Sequence, residues 1–116
     1  MNKMEGKKML GFKEEIEIGN TTGTTKTSVE ARIDTGAAYS SIDVKLASEL
    51  KLGPIVKYIT IRNSHGDSLR PVVEGLVKIK GEEIKVLLSI SDRSSLNFPV
   101  LIGRNLISQG FYVGKE

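Results

Sequence analysis

The sequence predicts an all-β domain, mainly antiparallel, with one or two short helices. Three observations carry that prediction. Apolar and polar residues alternate with a period of two in several runs, helical spacing of apolar residues is scarce, and clusters of Gly, Asn, Asp and Ser separate the runs. The chain has 116 residues, with no internal repeat, linker or low-complexity segment. That length suits one core, placed over residues 13–116 behind a flexible, lysine-bearing tail at residues 1–12.

The elements follow in order. Ile16 and Ile18 alternate with Glu15 and Glu17 in a first strand, and the Gly19–Gly23 stretch turns the chain. Val29, Ala31 and Ile33 then share one face of a second strand, with Ser28, Glu30 and Arg32 on the other. Asp43 is the N-cap of a short helix carrying Val44, Leu46, Ala47 and Leu50, which ends near Gly53-Pro54. Ile55 to Arg62 and Leu69 to Val73 form a strand pair around the polar segment Asn63 to Asp67. Leu76 to Ile90 reads as a hairpin with Gly81 at its tip and Ile84, Val86, Leu88 and Ile90 along one side. An apolar strand at Pro99–Ile102 leads through Gly103 into a second helix over Arg104 to Gln109, stopped by Gly110.

Composition excludes several functions. Hydrophobic residues at 39% and charged residues at 27% exclude disorder, collagen and coiled coil for the whole chain. A net charge of +3 with aromatics at 5% and no Trp leaves little for nucleic acid to stack on, so no nucleic-acid partner is expected. The absence of Cys removes disulfides, thiolate nucleophiles and sulfur-ligated metals, and it fits a reducing compartment. No apolar run is long enough to span a bilayer, and none follows the N-terminal lysines as a secretion signal requires. A cytoplasmic protein without membrane partners is expected.

Chemistry concentrates at Asp34-Thr35-Gly36-Ala37. A carboxylate here projects from the end of an alternating strand, Gly36 allows a tight turn and close approach, and Ala37 leaves the space beside Asp34 open. By itself the segment is also compatible with a turn in which Asp34 only satisfies local N–H groups. The later stretch Val100-Leu101-Ile102-Gly103-Arg104-Asn105 changes the reading. Together the two segments resemble the retropepsin-like aspartic peptidases, which include the retroviral proteases. Two further segments, Ser91-Asp92-Arg93-Ser94 before Phe98-Pro99-Val100 and Arg70-Pro71-Val72-Val73, are similar to a narrower microbial family. That family is named for ATP-dependent zinc proteases and is associated with ATP-grasp ligases that modify ribosomal protein. The resemblance spans roughly Glu14 to Val113.

The resemblance implies a closed, barrel-like fold and an endopeptidase whose catalytic residues are Asp34, Thr35 and Gly36. Substrate is expected at Ala37, Ala38, Ser64, His65, Gly66 and Ile102, with the hairpin at His65-Gly66 as a flap. One such Asp per chain is half an aspartic site, so a homodimer acting on peptide or protein is expected. Its two carboxylates would share a proton and activate water. The same fold also serves a non-catalytic peptide- or protein-binding module as the alternative. No cofactor is expected. With His65 as the one His and no Cys, zinc dependence is not expected, and no Walker-type phosphate loop supports ATP. The viral enzymes carry an acid four positions after the catalytic Asp, where this chain has Ala38. Arg104 must therefore find Asp43, Asp92 or solvent. The strand at Glu14–Ile18 and the segment Phe111–Val113 are expected as edges that pair across the two-fold axis.

Overall fold

Six strands close on one another into a barrel. The computed structural model describes residues 6–115, without the side chain of Asn63. Strand β1 is Lys8–Leu10, β2 Lys13–Gly19, β3 Lys26–Ile33, β4 Ser40–Asp43, β5 Lys57–Asn63, β6 Gly66–Ile79, β7 Glu82–Ser91, β8 Val100–Ile102 and β9 Phe111–Val113. Helix α1 is Val44–Glu49 and α2 is Arg104–Ile107. Neighbours run β2-β3-β8-β4-β7-β6, and β6 returns to β2 through Glu17↔Lys78, Ile18↔Val77 and Gly19↔Leu76. Most pairs are antiparallel, while β3–β8, β4–β7 and β1–β9 are parallel. The all-β, closed-barrel prediction is met.

Alternation builds the core. Ile16 and Ile18 of β2, Ala31 and Ile33 of β3, and Ile84, Val86 and Leu88 of β7 all turn inward and are buried. The β6–β7 turn places Lys80 at φ 51° and Gly81 at φ 80°, the pair of positive φ values that matches the twist of a two-residue hairpin. Asp43 caps α1 as expected, its carboxylate accepting the Lys45 N–H at 3.1 Å.

The structure adds a strand the sequence did not announce, β4 at Ser40–Asp43, and departs from expectation elsewhere. Leu69–Val73 and Leu76–Ile79 are one strand, β6, of 14 residues. Its first half pairs only with β5 as a hairpin standing off the barrel, and its second half is a barrel stave. Strand β2 pairs with β3 along its whole length and with β6 at Glu17–Gly19, so it is built into the barrel at its second half and is bonded on one side at its first. Phe111–Val113 pairs with β1 in the same chain. The tail assigned to residues 1–12 is too long: β1 lies within it and Leu10 is fully buried, while residues 1–5 fall outside the described residues.

Candidate active site

Asp34 continues the last rung of the β3–β8 ladder. Ile33 pairs with Ile102, and the Asp34 N–H donates to the Ile102 carbonyl at 2.9 Å. Beyond that bond the chain turns. The Gly36 N–H donates to Asp34 Oδ1 at 2.8 Å and the Ala37 N–H to the Asp34 carbonyl at 3.3 Å. The carboxylate is half-buried and keeps Oδ2 for another partner, while Thr35 and Gly36 are exposed. A strand end holds one face of the acid and a turn holds the other.

Helix α2 fastens the same loop from behind. The Arg104 N–H donates to the Ala37 carbonyl at 2.8 Å and the Asn105 N–H to the Ala38 carbonyl at 3.2 Å. The Arg104 guanidinium donates to the Thr35 carbonyl at 3.0 Å, so its partner is this loop and neither Asp43 nor Asp92. Gly103 permits the approach: a Cβ there would lie 2.6 Å from the Tyr39 carbonyl oxygen. Asn105 completes the brace. Its Oδ1 accepts the Ser40 N–H at 3.0 Å and the Ser40 hydroxyl at 2.8 Å, and its Nδ2 donates to the Leu87 carbonyl at 2.8 Å. The Ser40 hydroxyl in turn accepts the Gly103 N–H at 3.0 Å. Sequence reasoning missed this network, although Asn105 ends the Val100–Asn105 stretch and Ser40 lies three residues after Ala37.

Two depressions meet at the Asp34 loop. One, about 330 Å³, is lined by Asp34, Arg32, Arg93, Leu96, Phe98 and Leu101 among others. The second, about 260 Å³, lies between the loop and the β5–β6 hairpin, with Ala37, Ala38 and Tyr39 on one wall and Ile59, Ile61 and Arg70 on the other. Lys57 Nζ sits 5.3 Å from the centroid of the Tyr39 ring, a further tie between hairpin and loop. Arg93 and Leu101 line both spaces. Arg93 is 9% exposed, its Nε donating to the Phe98 carbonyl at 2.9 Å and its N–H to Asp43 Oδ1 at 2.8 Å. Burial pulls its pKa below the usual guanidinium range, and the charge of Asp43 opposes that pull. Neighbouring Asp92 is exposed and pairs with the Ser94 hydroxyl and N–H, which lower its carboxyl pKa.

Ala37 and Ala38 line the cavity between the Asp34 loop and the hairpin. Ser64, His65 and Gly66 are exposed at the hairpin tip and are absent from that cavity's lining. Ile102 needs correcting. Its side chain is fully buried in the core, and only its carbonyl serves the site. Leu101, one residue earlier and therefore on the opposite face of β8, is the one that faces the cavities. Among the described residues no three His, Cys, Asp or Glu side chains come together, so the donors present do not fit a zinc site. No helix among them is long and apolar enough to cross a membrane.

The family model described as the retropepsin-like aspartic endopeptidase RimB matches residues 46–114. The chain belongs to the RimB-like family. The matched stretch holds the hairpin, the second half of the barrel and α2, and it begins after the Asp34 loop. Solved structures agree on the fold of this RimB-like chain. The EIAV protease, bound to an inhibitor, superposes with a TM-score of 0.65 at 19% identity, covering 94% of this chain and 92% of that one. A Legionella pneumophila protein of unknown function gives 0.64 at 20% identity, covering 93% of each chain. The Simian Foamy Virus protease gives 0.60 at 18% identity, covering 83% and 91%. None of the curated proteins matches in sequence.

Proposed function

We propose that this RimB-like protein is an aspartic endopeptidase whose active form is a homodimer, with one Asp34 from each subunit. The observation that carries the reading is the half-buried Asp34 carboxylate, held through Oδ1 by the Gly36 N–H and opening on a cavity lined by no second acid. Acid–base hydrolysis of an amide needs one group to take a proton from water and another to give one to the carbonyl. A lone carboxylate cannot do both at once. Two Asp34 side chains about 3 Å apart share one proton, as aspartic peptidases do, because both cannot ionise at that separation. The ionised member draws a proton from water, the protonated member hydrogen-bonds the peptide carbonyl, and no covalent intermediate forms. Thr35, at the exposed crown of each loop, pairs across the two-fold axis. The β5–β6 hairpin acts as the flap, with Ile59, Ile61 and Arg70 over an extended peptide.

The test is cleavage of a mixed peptide library, read by mass spectrometry, with and without EDTA and with zinc added back. Cleavage unchanged by chelation and independent of ATP is the expected outcome. Loss with EDTA and recovery with zinc would replace the carboxylate mechanism by a metal-dependent one.

Arg104 gives a second check. Arg104→Leu removes the donor to the Thr35 carbonyl while leaving an exposed surface, so stability should fall by only about 1 kcal/mol. Cleavage should fall about tenfold in kcat as the loop loses its setting, with Arg104→Lys recovering part of it. An unchanged kcat would show that the backbone bonds of α2 position the loop unaided.

A further inference from the structure

Asp43 makes more bonds than a helix cap needs. Its Oδ2 accepts the Lys45 N–H that caps α1, which is all that capping asks of it. Its Oδ1 also accepts the Arg93 N–H at 2.8 Å, and its own N–H donates to the Pro99 carbonyl at 2.8 Å. Those two bonds lie at opposite ends of the segment from Arg93 to Pro99. One residue grips both ends of a loop that begins fifty positions further along the chain.

Arg93 closes the same loop from within. Its carbonyl accepts the Leu96 N–H at 2.9 Å, and its Nε donates to the Phe98 carbonyl at 2.9 Å. The side chain is buried between Arg32 and Arg70, whose charges repel it, and Asp43 is the carboxylate whose charge favours it. A buried charge is tolerated where a partner and hydrogen bonds hold it. Asp43 therefore fixes Arg93 through a hydrogen bond and through its field.

The loop carries one wall of the Asp34 cavity, to which it contributes Leu96 and Phe98. Leu96 is 54% exposed, so packing alone does not decide where it stands. The bonds at the foot of the loop decide it.

We propose that Asp43 and Arg93 act as one positioning pair for the reaction at Asp34: the carboxylate fixes the arginine, and the arginine fixes the wall against which the peptide lies. Neither side chain is bonded to the Asp34 carboxylate, so the pair acts through the loop. For its chemistry the proposal rests on the peptidase reading.

The experiment separates this clamp from the helix cap. Asp43→Ser keeps an oxygen that caps a helix about as well, yet that one uncharged oxygen cannot serve Lys45 and Arg93 together. Arg93→Met fills the volume without the Nε donor. The double variant and Val44→Ser, a control at a residue 50% exposed on α1, complete the set. Amide hydrogen exchange comes first because it needs no activity. In Asp43→Ser the Leu96 amide, one step removed from the change, should exchange about tenfold faster, while Val77 and Leu88 in the barrel stay as in wild type. Peptide cleavage should lose about tenfold in kcat with KM within about twofold, since a misplaced wall presents the peptide wrongly to Asp34. The double variant should lose no more than the worse single one, as residues acting through one loop do. Val44→Ser should match wild type in both measurements.

An unchanged Leu96 amide overturns the inference. So does faster exchange with unchanged kcat, which would make the clamp a matter of stability alone. A raised KM at unchanged kcat overturns it as well, by placing Arg93 on the substrate, and additive losses in the double variant would show two separate roles. A wild-type chain that cleaves nothing overturns the peptidase reading and takes the claim on kcat with it. Failure of the inference alone shows instead as an active wild type with indifferent variants.

Discussion

Asp34→Asn should fold and associate as the wild type does and cleave nothing above background. Asparagine keeps the shape of the side chain and can still accept the Gly36 N–H through its own oxygen, so the turn survives. What it loses is the ability to exchange a proton. Acid–base assistance is worth about 10² to 10⁴ for each positioned group, and the variant loses base and acid together, so cleavage should fall at least about 10⁴-fold. Dimerisation should be equal or tighter, since two apposed carboxylates no longer compete for one proton. The wild-type pH profile should be a bell whose two limbs belong to the pair and not to either residue. Its acid limb marks protonation of the ionised member and its alkaline limb marks loss of the shared proton. Undiminished cleavage by Asp34→Asn would reduce Asp34 to a turn residue and overturn the two-carboxylate mechanism, whereas a wild type that binds peptide without cleaving it would leave the binding-module reading standing.

Asn105→Leu should be the most damaging change away from the carboxylate. The side chain joins β4, β7 and α2 through the Ser40 N–H, the Ser40 hydroxyl and the Leu87 carbonyl. Leucine is of similar size and fills the volume, yet it strands all three partners in a part-buried setting. Each polar group left without a partner costs about 1–3 kcal/mol, so a loss of about 3 kcal/mol or more is expected in urea denaturation. That is a large share of the about 5–15 kcal/mol that holds a domain of this size folded. Activity should fall further than stability accounts for, because the Asp34 loop hangs on the same helix. Asn105→Asp, which keeps the acceptor but loses the donor to Leu87, should fall in between. A Leu variant as stable as wild type would show that Ser40 and Leu87 find other partners on relaxation.

What the sequence disclosed was what its local rules govern. Alternation exposes Ile16, Ile18, Ala31 and Ile33 as inward residues, and the Asp43 cap depends on one neighbour two positions away. Strand β1 was hidden because three residues among lysines contribute only Leu10 to the core. The continuity of β6 was hidden by Gly75, which reads as a break but is a packing requirement: a Cβ there would lie 2.7 Å from Leu88 Cδ1. At the site, the Asp34 motif and the Gly103-Arg104-Asn105 stretch were legible as motifs, whereas the bonds between them span more than sixty residues and follow no local rule. The resemblance placed Ile102 at the substrate without saying which face of β8 it occupies; its side chain points into the core, while Leu101 lines the cavities.

Strand β6 runs unbroken from the hairpin into the barrel wall, and the number of its neighbours changes along its length. From Gly66 to Pro71 it is bonded on one side only, and from Val72 onward β7 is added. Proline stands at the last one-sided position, where it cannot donate to a ladder. The chain is therefore weakest in bending next to where it becomes stiffest, which is the arrangement of a hinge set at the foot of a cantilever. The hairpin should swing as a unit about Pro71–Val72 while the barrel beneath it stays still. Amide hydrogen exchange would then divide within this single strand, fast up to Leu69 and Arg70 and slow from Val73 to Ile79.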